Sequence, residues 1–109
     1  MKYKYGDFSD MQIADLKRVI RKKIFFLLLC ADKSCEDVYH KVDIPVAIEN
    51  LLTEMDGLNE LMLYPTELIR AMSLLTSAKN ECLKETFSFR EYRKLILSAG
   101  AEIQKIKEE

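Results

Sequence analysis

Apolar residues recur at three- and four-residue intervals in four separate stretches of this chain. That spacing places them on one face of an α-helix, which has to be buried against other helices. Gly57 and Gly100 fall inside two of the stretches and leave the apolar series in phase. The pattern predicts an all-α fold of four main helices, arranged as a four-helix bundle with antiparallel neighbours.

Local signals indicate where each helix begins and ends. Ser9 with Gln12, and Ser88 with Glu91, have the spacing of a capping box, in which two side chains satisfy backbone amides at a helix start. An aromatic residue precedes each cap and is expected to pack on the first turn. Pro65 separates the second and third helices. The expected helices run from about Asp10 to Ala31, Pro45 to Leu63, Thr66 to Lys84 and Phe89 to Lys107.

The apolar stripes of these helices define the predicted core. Its members are Ile13, Leu16, Ile20, Ile24, Leu27 and Ala31 in the first helix, Ile48, Leu51, Leu52, Met55, Leu58 and Met62 in the second, Leu68, Ala71, Met72, Leu75, Ala78 and Cys82 in the third, and Tyr92, Leu95, Ile96, Ala99, Ile103 and Ile106 in the fourth. A chain of 109 residues can bury one such core without covalent staples. We expect a single helical domain over residues 1–109, with residues 1–8 as an N-terminal tail.

Three further segments indicate how the helices are connected and where in the cell the protein is expected. Residues 32–43 form the one long connection and have room for a short extra helix. The longest apolar run, Ile24 to Ala31, is far shorter than the roughly 20 residues of a membrane span, so no membrane partner is expected. The N-terminus lacks the apolar stretch of a secretory signal, which predicts a cytoplasmic protein.

Charge is divided unevenly along the chain. Formal charges are +4 for residues 1–31, −7 for residues 32–67 and +2 for residues 68–109. A basic segment and an acidic segment attract each other within one bundle, between two copies or toward a charged partner. The sequence leaves these three alternatives open.

The end of the first helix is apolar on every side, as in a helix that is surrounded by others or docked on a partner. Soluble monomers seldom leave a large apolar patch exposed. We therefore expect a non-catalytic protein that acts through protein–protein interaction, by self-association or by docking on a larger partner as an adaptor, regulator or inhibitor. The interface candidates are Ile24, Phe25, Phe26, Leu28 and Leu29.

The alternative function is nucleic-acid association. Lys17, Arg18, Arg21 and Lys22 share one face of the first helix, where they can lie along phosphates. Without a nucleic-acid partner, this basic face is either exposed to solvent or paired with the acidic second helix. Four basic residues in a chain of net charge −1 fall short of a dedicated nucleic-acid binder.

Metal binding and catalysis are not expected. Cys30, Cys35, His40 and Cys82 are separated by five, five and forty-two residues, which does not match the paired ligand spacing of zinc sites. His40 has Asp37 three residues before it, but a histidine in a connection is usually only facing solvent. We predict no metal ligand, no catalytic residue and no cofactor.

Overall fold

The computed structural model describes residues 2–32 and 41–106, and within these ranges the chain forms a short hairpin followed by four α-helices. The helices are α1 (Asp10–Ala31), α2 (Ile44–Leu61), α3 (Thr66–Cys82) and α4 (Phe89–Gln104). They pack against each other in an all-α, bundle-like fold, as predicted. The extra helix expected in the 32–43 connection lies mostly outside the described residues, and residues 41–43 are not helical.

Side-chain bonds between the helices define their directions. Lys23 of α1 bonds to Glu54 of α2, and Arg21 of α1 bonds to Gln104 of α4. Lys17, in the first half of α1, bonds to the Ile106 carbonyl past the end of α4, and Tyr92, near the start of α4, bonds to the Leu27 carbonyl near the end of α1, so these two helices are antiparallel. Short turns make α2 antiparallel to α3 and α3 antiparallel to α4. Among adjacent helices of the described chain, α3 and α4 share the most extensive contact and α1 and α2 the least.

The buried core cluster contains only residues of the predicted stripes, which confirms the helical phase in all of α1–α4. Four residues of each of α1, α2 and α3, counting Met62 just past the end of α2, meet five from α4 and its C-terminal turn. The other predicted core residues are half-buried, and all but Leu16 pack against this cluster: Leu16, Ala31, Leu52, Leu58, Met72, Cys82 and Leu95.

Two buried polar bonds tie α1 to α4. The Lys17 ammonium donates to the backbone carbonyl of Ile106 over 2.8 Å, although only 6% of this lysine is exposed. The Tyr92 hydroxyl, fully buried, donates to the Leu27 carbonyl over 2.7 Å, and burial raises the pKa of this tyrosine. A cation next to the last carbonyls of a helix also complements its dipole. Together the two bonds set the register of α1 on α4.

We predict that Lys17→Met destabilises the protein. Methionine fills similar space but leaves the Ile106 carbonyl buried without this donor, a loss of about 1–3 kcal/mol in the free energy of unfolding. Lys94→Met, at an exposed position of α4, is the matched control and should change stability by less than about 0.5 kcal/mol. Urea unfolding followed by circular dichroism measures both, and equal effects would contradict the role given to Lys17.

Helix α2 ends two residues earlier than the sequence predicted. The Tyr64 amide donates to the Asn59 carbonyl over 2.8 Å and the Leu63 amide to the Glu60 carbonyl over 3.2 Å. This bonding pattern is a Schellman motif, which requires a left-handed residue after the helix. Leu63 and Tyr64 both have positive φ, 63° and 58°, and Pro65, which follows them, cannot continue the helix.

The second predicted capping box is half wrong. The Ser88 hydroxyl accepts from the Glu91 amide over 3.4 Å, as expected, but the Ser88 amide donates to Glu81 of α3 over 3.1 Å instead of to Glu91. Glu81 is buried and also pairs with Lys84 at 2.8 Å. The bonds from Lys84 and Ser88 lower the pKa of Glu81. Phe87 packs edge-on against Tyr92, which confirms the staple at this helix start. The first capping box, between Ser9 and Gln12, is confirmed in both directions.

The lowered pKa of Glu81 predicts a loss of stability in acid. Its charged form stabilises the fold above the ordinary value of 4.5, and this contribution disappears as the pH falls through the lower value of the folded state. Glu81→Gln should therefore be less stable than the parent at about pH 7, with the difference narrowing toward about pH 3.5. Urea unfolding at several pH values tests this. Lys84→Gln removes the same ion pair, so its stability difference from the parent should narrow over the same pH range. A stability difference that does not change with pH would contradict the lowered pKa of Glu81.

The N-terminal tail is more ordered than expected. Strands β1 (Lys2–Tyr3) and β2 (Gly6–Asp7) pair antiparallel, and the turn relies on Gly6, whose φ of 152° suits glycine. The Lys4 amide donates to the Leu61 carbonyl over 2.7 Å, and its ammonium bonds to Glu60 over 3.1 Å. The hairpin is therefore attached to the C-terminal end of α2.

Candidate protein-interaction groove

The five predicted interface residues have different environments in the structure. Ile24 is fully buried in the core, and Phe25 and Leu28 are half-buried against it. Phe26 and Leu29 remain 40% and 39% exposed. Because adjacent positions of a helix point in different directions, the neighbouring helices cover only part of this apolar segment. The exposed part of the predicted interface is therefore Phe26 and Leu29.

Phe25 belongs to the contact between α1 and α4. Its ring lies against the backbone of Gly100, where an added Cβ would come within 2.9 Å of two ring carbons. The Arg21 guanidinium lies 5.3 Å from the centre of the same ring. The glycine in α4 thus has a packing role that periodicity alone does not indicate.

A groove runs between α1 and α2, where the two helices make the least contact. Its volume is about 420 Å³. We call it the α1–α2 groove; Val19, Lys22, Lys23, Phe26 and Leu27 line it from α1, and Ala47, Asn50, Leu51 and Glu54 line it from α2. Apolar side chains form most of the wall. Lys23 and Glu54 bond across the groove at 2.5 Å as an ion pair.

Exposed apolar residues extend the groove at its rim. Val19 is 46% exposed, and Val46, next to the groove residue Ala47, is 53% exposed. Gly57 continues the same edge of α2, since it lies three residues after Glu54. In the part of the chain that the structure describes, no atom lies within 4 Å of the place where a Cβ on Gly57 would stand. The missing side chain of Gly57 therefore leaves a shallow notch next to the groove, and no contact among the described residues accounts for it.

The basic residues of α1 are brought together but are largely bonded within the chain. Lys17, Arg18, Arg21 and Lys22 line one shallow pocket of about 290 Å³ between α1 and α4. Lys17 is buried on the Ile106 carbonyl, Arg18 pairs with Asp15 at 3.0 Å, and Arg21 bonds to Gln104 at 3.0 Å. Lys22 is exposed. Two of the four residues, Lys17 and Arg21, thus bond to the end of α4, and Arg18 pairs within α1.

The thiols of the described residues lie in apolar surroundings. Burial raises the pKa of Cys30, and burial together with the charge of Glu81 raises that of Cys82 to about 11. Both are therefore poor nucleophiles at neutral pH. Within residues 2–32 and 41–106 no group of three or more histidine, cysteine or acidic residues has the geometry to hold a metal ion. Cys35 and His40 lie outside these ranges.

Comparisons of the chain with known protein families, with curated proteins and with solved structures find no match. No helix in the part of the chain that the structure describes is long and apolar enough to cross a membrane. The fold and the α1–α2 groove therefore define only a class of protein. Over its described residues the chain is a four-helix, bundle-like protein with an open groove between α1 and α2.

Sequence reasoning missed several parts of this site. Val19 is flanked by Arg18 and Ile20, and Val46 lies in the apolar first turn of α2, but neither belongs to a predicted core stripe. At Gly57 the sequence shows only a glycine that leaves the apolar series in phase. The available signal was the position of Val19 seven residues before Phe26, because that interval places the two side chains on one line along a helix.

We predict that Gly57→Ala stabilises the chain. Alanine fits without contact at this helical position, and removing a helix-interior glycine gains about 0.5–1 kcal/mol. Gly100→Ala is the matched comparison; it should gain less or lose stability, because the Phe25 ring has to move. Urea unfolding should be measured at a protein concentration where halving it leaves the midpoint unchanged. A larger gain at Gly100 would contradict the packing described for both positions.

Proposed function

We propose that this chain is a non-catalytic interaction protein that binds a helical surface of a protein partner through the α1–α2 groove. The observation that supports it most is the combination of an apolar groove with Val19 and Phe26 exposed along one wall. Helices dock into such grooves through apolar residues at helical spacing, with polar residues at the rim. An adaptor, a regulator and an inhibitor each use this kind of contact.

The composition of the groove supports a binding role over a catalytic one. Its lining, which lies entirely within the described chain, includes no histidine, cysteine or serine. Its charged residues include a lysine and a glutamate that neutralise each other across the seam. A wall of this kind offers buried area and one pair of charges for orientation, which is typical of protein recognition.

The proposal predicts a site-specific cross-link at position 26. We would replace Phe26 with photoreactive benzoylphenylalanine, which is similar in shape, in the full chain expressed in its native cells. Irradiation should join it to a helical segment of a protein partner, identified by peptide mass spectrometry. The same amino acid at Met11, an exposed position of α1 that does not line the groove, is the control and should give no such product.

A second substitution connects the cross-link to the groove. Val19→Glu places a charge on the exposed apolar wall and should abolish the product at position 26, while circular dichroism shows an unchanged helical spectrum. Identical products from positions 26 and 11, or a product that persists with Val19→Glu, would refute a partner site in the α1–α2 groove.

A further inference from the structure

The helices on the two sides of the groove have opposite charge. Helix α1 contains five basic and two acidic residues, whereas α2 contains four acidic residues and no basic one. Within one chain they meet at the Lys23–Glu54 pair, whose side chains are still about half exposed. A surface made of one basic and one acidic helix is complementary to a copy of itself if each helix meets its opposite.

The height of each residue along the groove follows from that ion pair. The helices are antiparallel and rise equally per residue, so positions equally far from Lys23 and Glu54 in opposite directions lie level. Val19, four residues before Lys23, is therefore level with Leu58, one residue from Gly57. Phe26, three residues after Lys23, is level with Leu51, which is next to Asn50.

We infer that the α1–α2 groove is an interface with a second copy of this chain, related by a two-fold axis parallel to the helices. This inference rests on the proposed function and names the partner. Rotation about such an axis places α1 over the partner's α2 at the same height. Lys22 then meets the partner's Glu54, Val19 meets the partner's Gly57, and Phe26 covers the partner's Asn50.

Charge repulsion disfavours the other simple two-fold arrangement of the dimer. A two-fold axis perpendicular to the helices places α1 on the partner's α1, so that basic residues such as Lys22 face each other. The parallel axis instead places each basic helix between two acidic ones. Like charges then lie on the diagonals of the interface, where they are farthest apart.

Gly57 provides an independent observation in favour of this register. A glycine inside an exposed helical segment is unfavourable unless a close approach requires it. No atom of residues 2–32 and 41–106 lies within 4 Å of the place of its missing Cβ. In the two-fold arrangement the partner's Val19 occupies that space, which gives the glycine a reason to be there.

Sedimentation equilibrium of the full chain tests the pairing. The wild-type protein should sediment with twice the mass of one chain. Lys22→Glu and Glu54→Lys should each raise the dissociation constant by about tenfold, because two symmetric charge pairs change from attraction to repulsion. An equal mixture of the two variants should form a heterodimer of nearly wild-type affinity, since both pairs are then opposite in charge again.

The notch is tested by Gly57→Gln. Glutamine favours the helix, so the chain stays folded, but its side chain fills the space assigned to the partner's Val19. We expect the dissociation constant to rise by at least about tenfold. Ser77→Gln, at an exposed position of α3, is the matched control and should leave association unchanged.

The outcomes separate this inference from the proposed function. A wild-type chain that stays monomeric at about 1 mM, or a dimer that Lys22→Glu does not weaken and the mixture does not rescue, overturns the two-fold arrangement. If position 26 then still cross-links to a different protein, the proposed function stands without it. A monomer with no cross-link at position 26 overturns both.

Discussion

The architecture depends on how α1 is positioned against α4. Two buried polar bonds, from Lys17 to the Ile106 carbonyl and from Tyr92 to the Leu27 carbonyl, join these helices near both ends. Since a buried donor without its acceptor is costly, neither helix can rotate or slide without losing one of them. This register decides which side of α1 enters the core and which side is left for α2, and so it determines the shape of the groove.

The groove follows from an imbalance of contacts around the bundle. The α1–α4 contact is closed by the Phe25 ring against Gly100, whereas the α1–α2 contact is crossed by the Lys23–Glu54 pair. Leucine and alanine remain at the floor of that seam, and Phe26 at its wall. An ion pair that is half exposed holds two helices less closely than interlocked side chains do, because its charges keep their water. The α1–α2 groove thus stays accessible to solvent, while the core behind it is buried.

Most of the fold could be predicted from local patterns, since helical phase, caps and prolines act over a few residues. The site could not, because it depends on which helices are neighbours. Lys17 was interpreted as part of a basic stripe, although it lies in phase with Ile13 and Ile20, which was a sign of burial. The Ser88 amide bonds to Glu81 and not to Glu91, because the packing of α3 against α4 brings the Glu81 carboxylate next to it. Predicting that Phe26 is exposed while Ile24 is buried would have needed the register of α1 on α4, which the sequence does not contain.

The same α1–α4 bonds have a consequence for how the chain is made. They join residues 89 and 65 positions apart, so α1 leaves the ribosome long before its main partner exists. Until α4 emerges, the apolar end of α1 has only α2 and α3 to shield it. Contacts between distant parts of a sequence form late, because a long loop has to close first. We therefore expect the α1–α4 contact to form last during synthesis, and the nascent chain to be most prone to aggregation just before that contact forms.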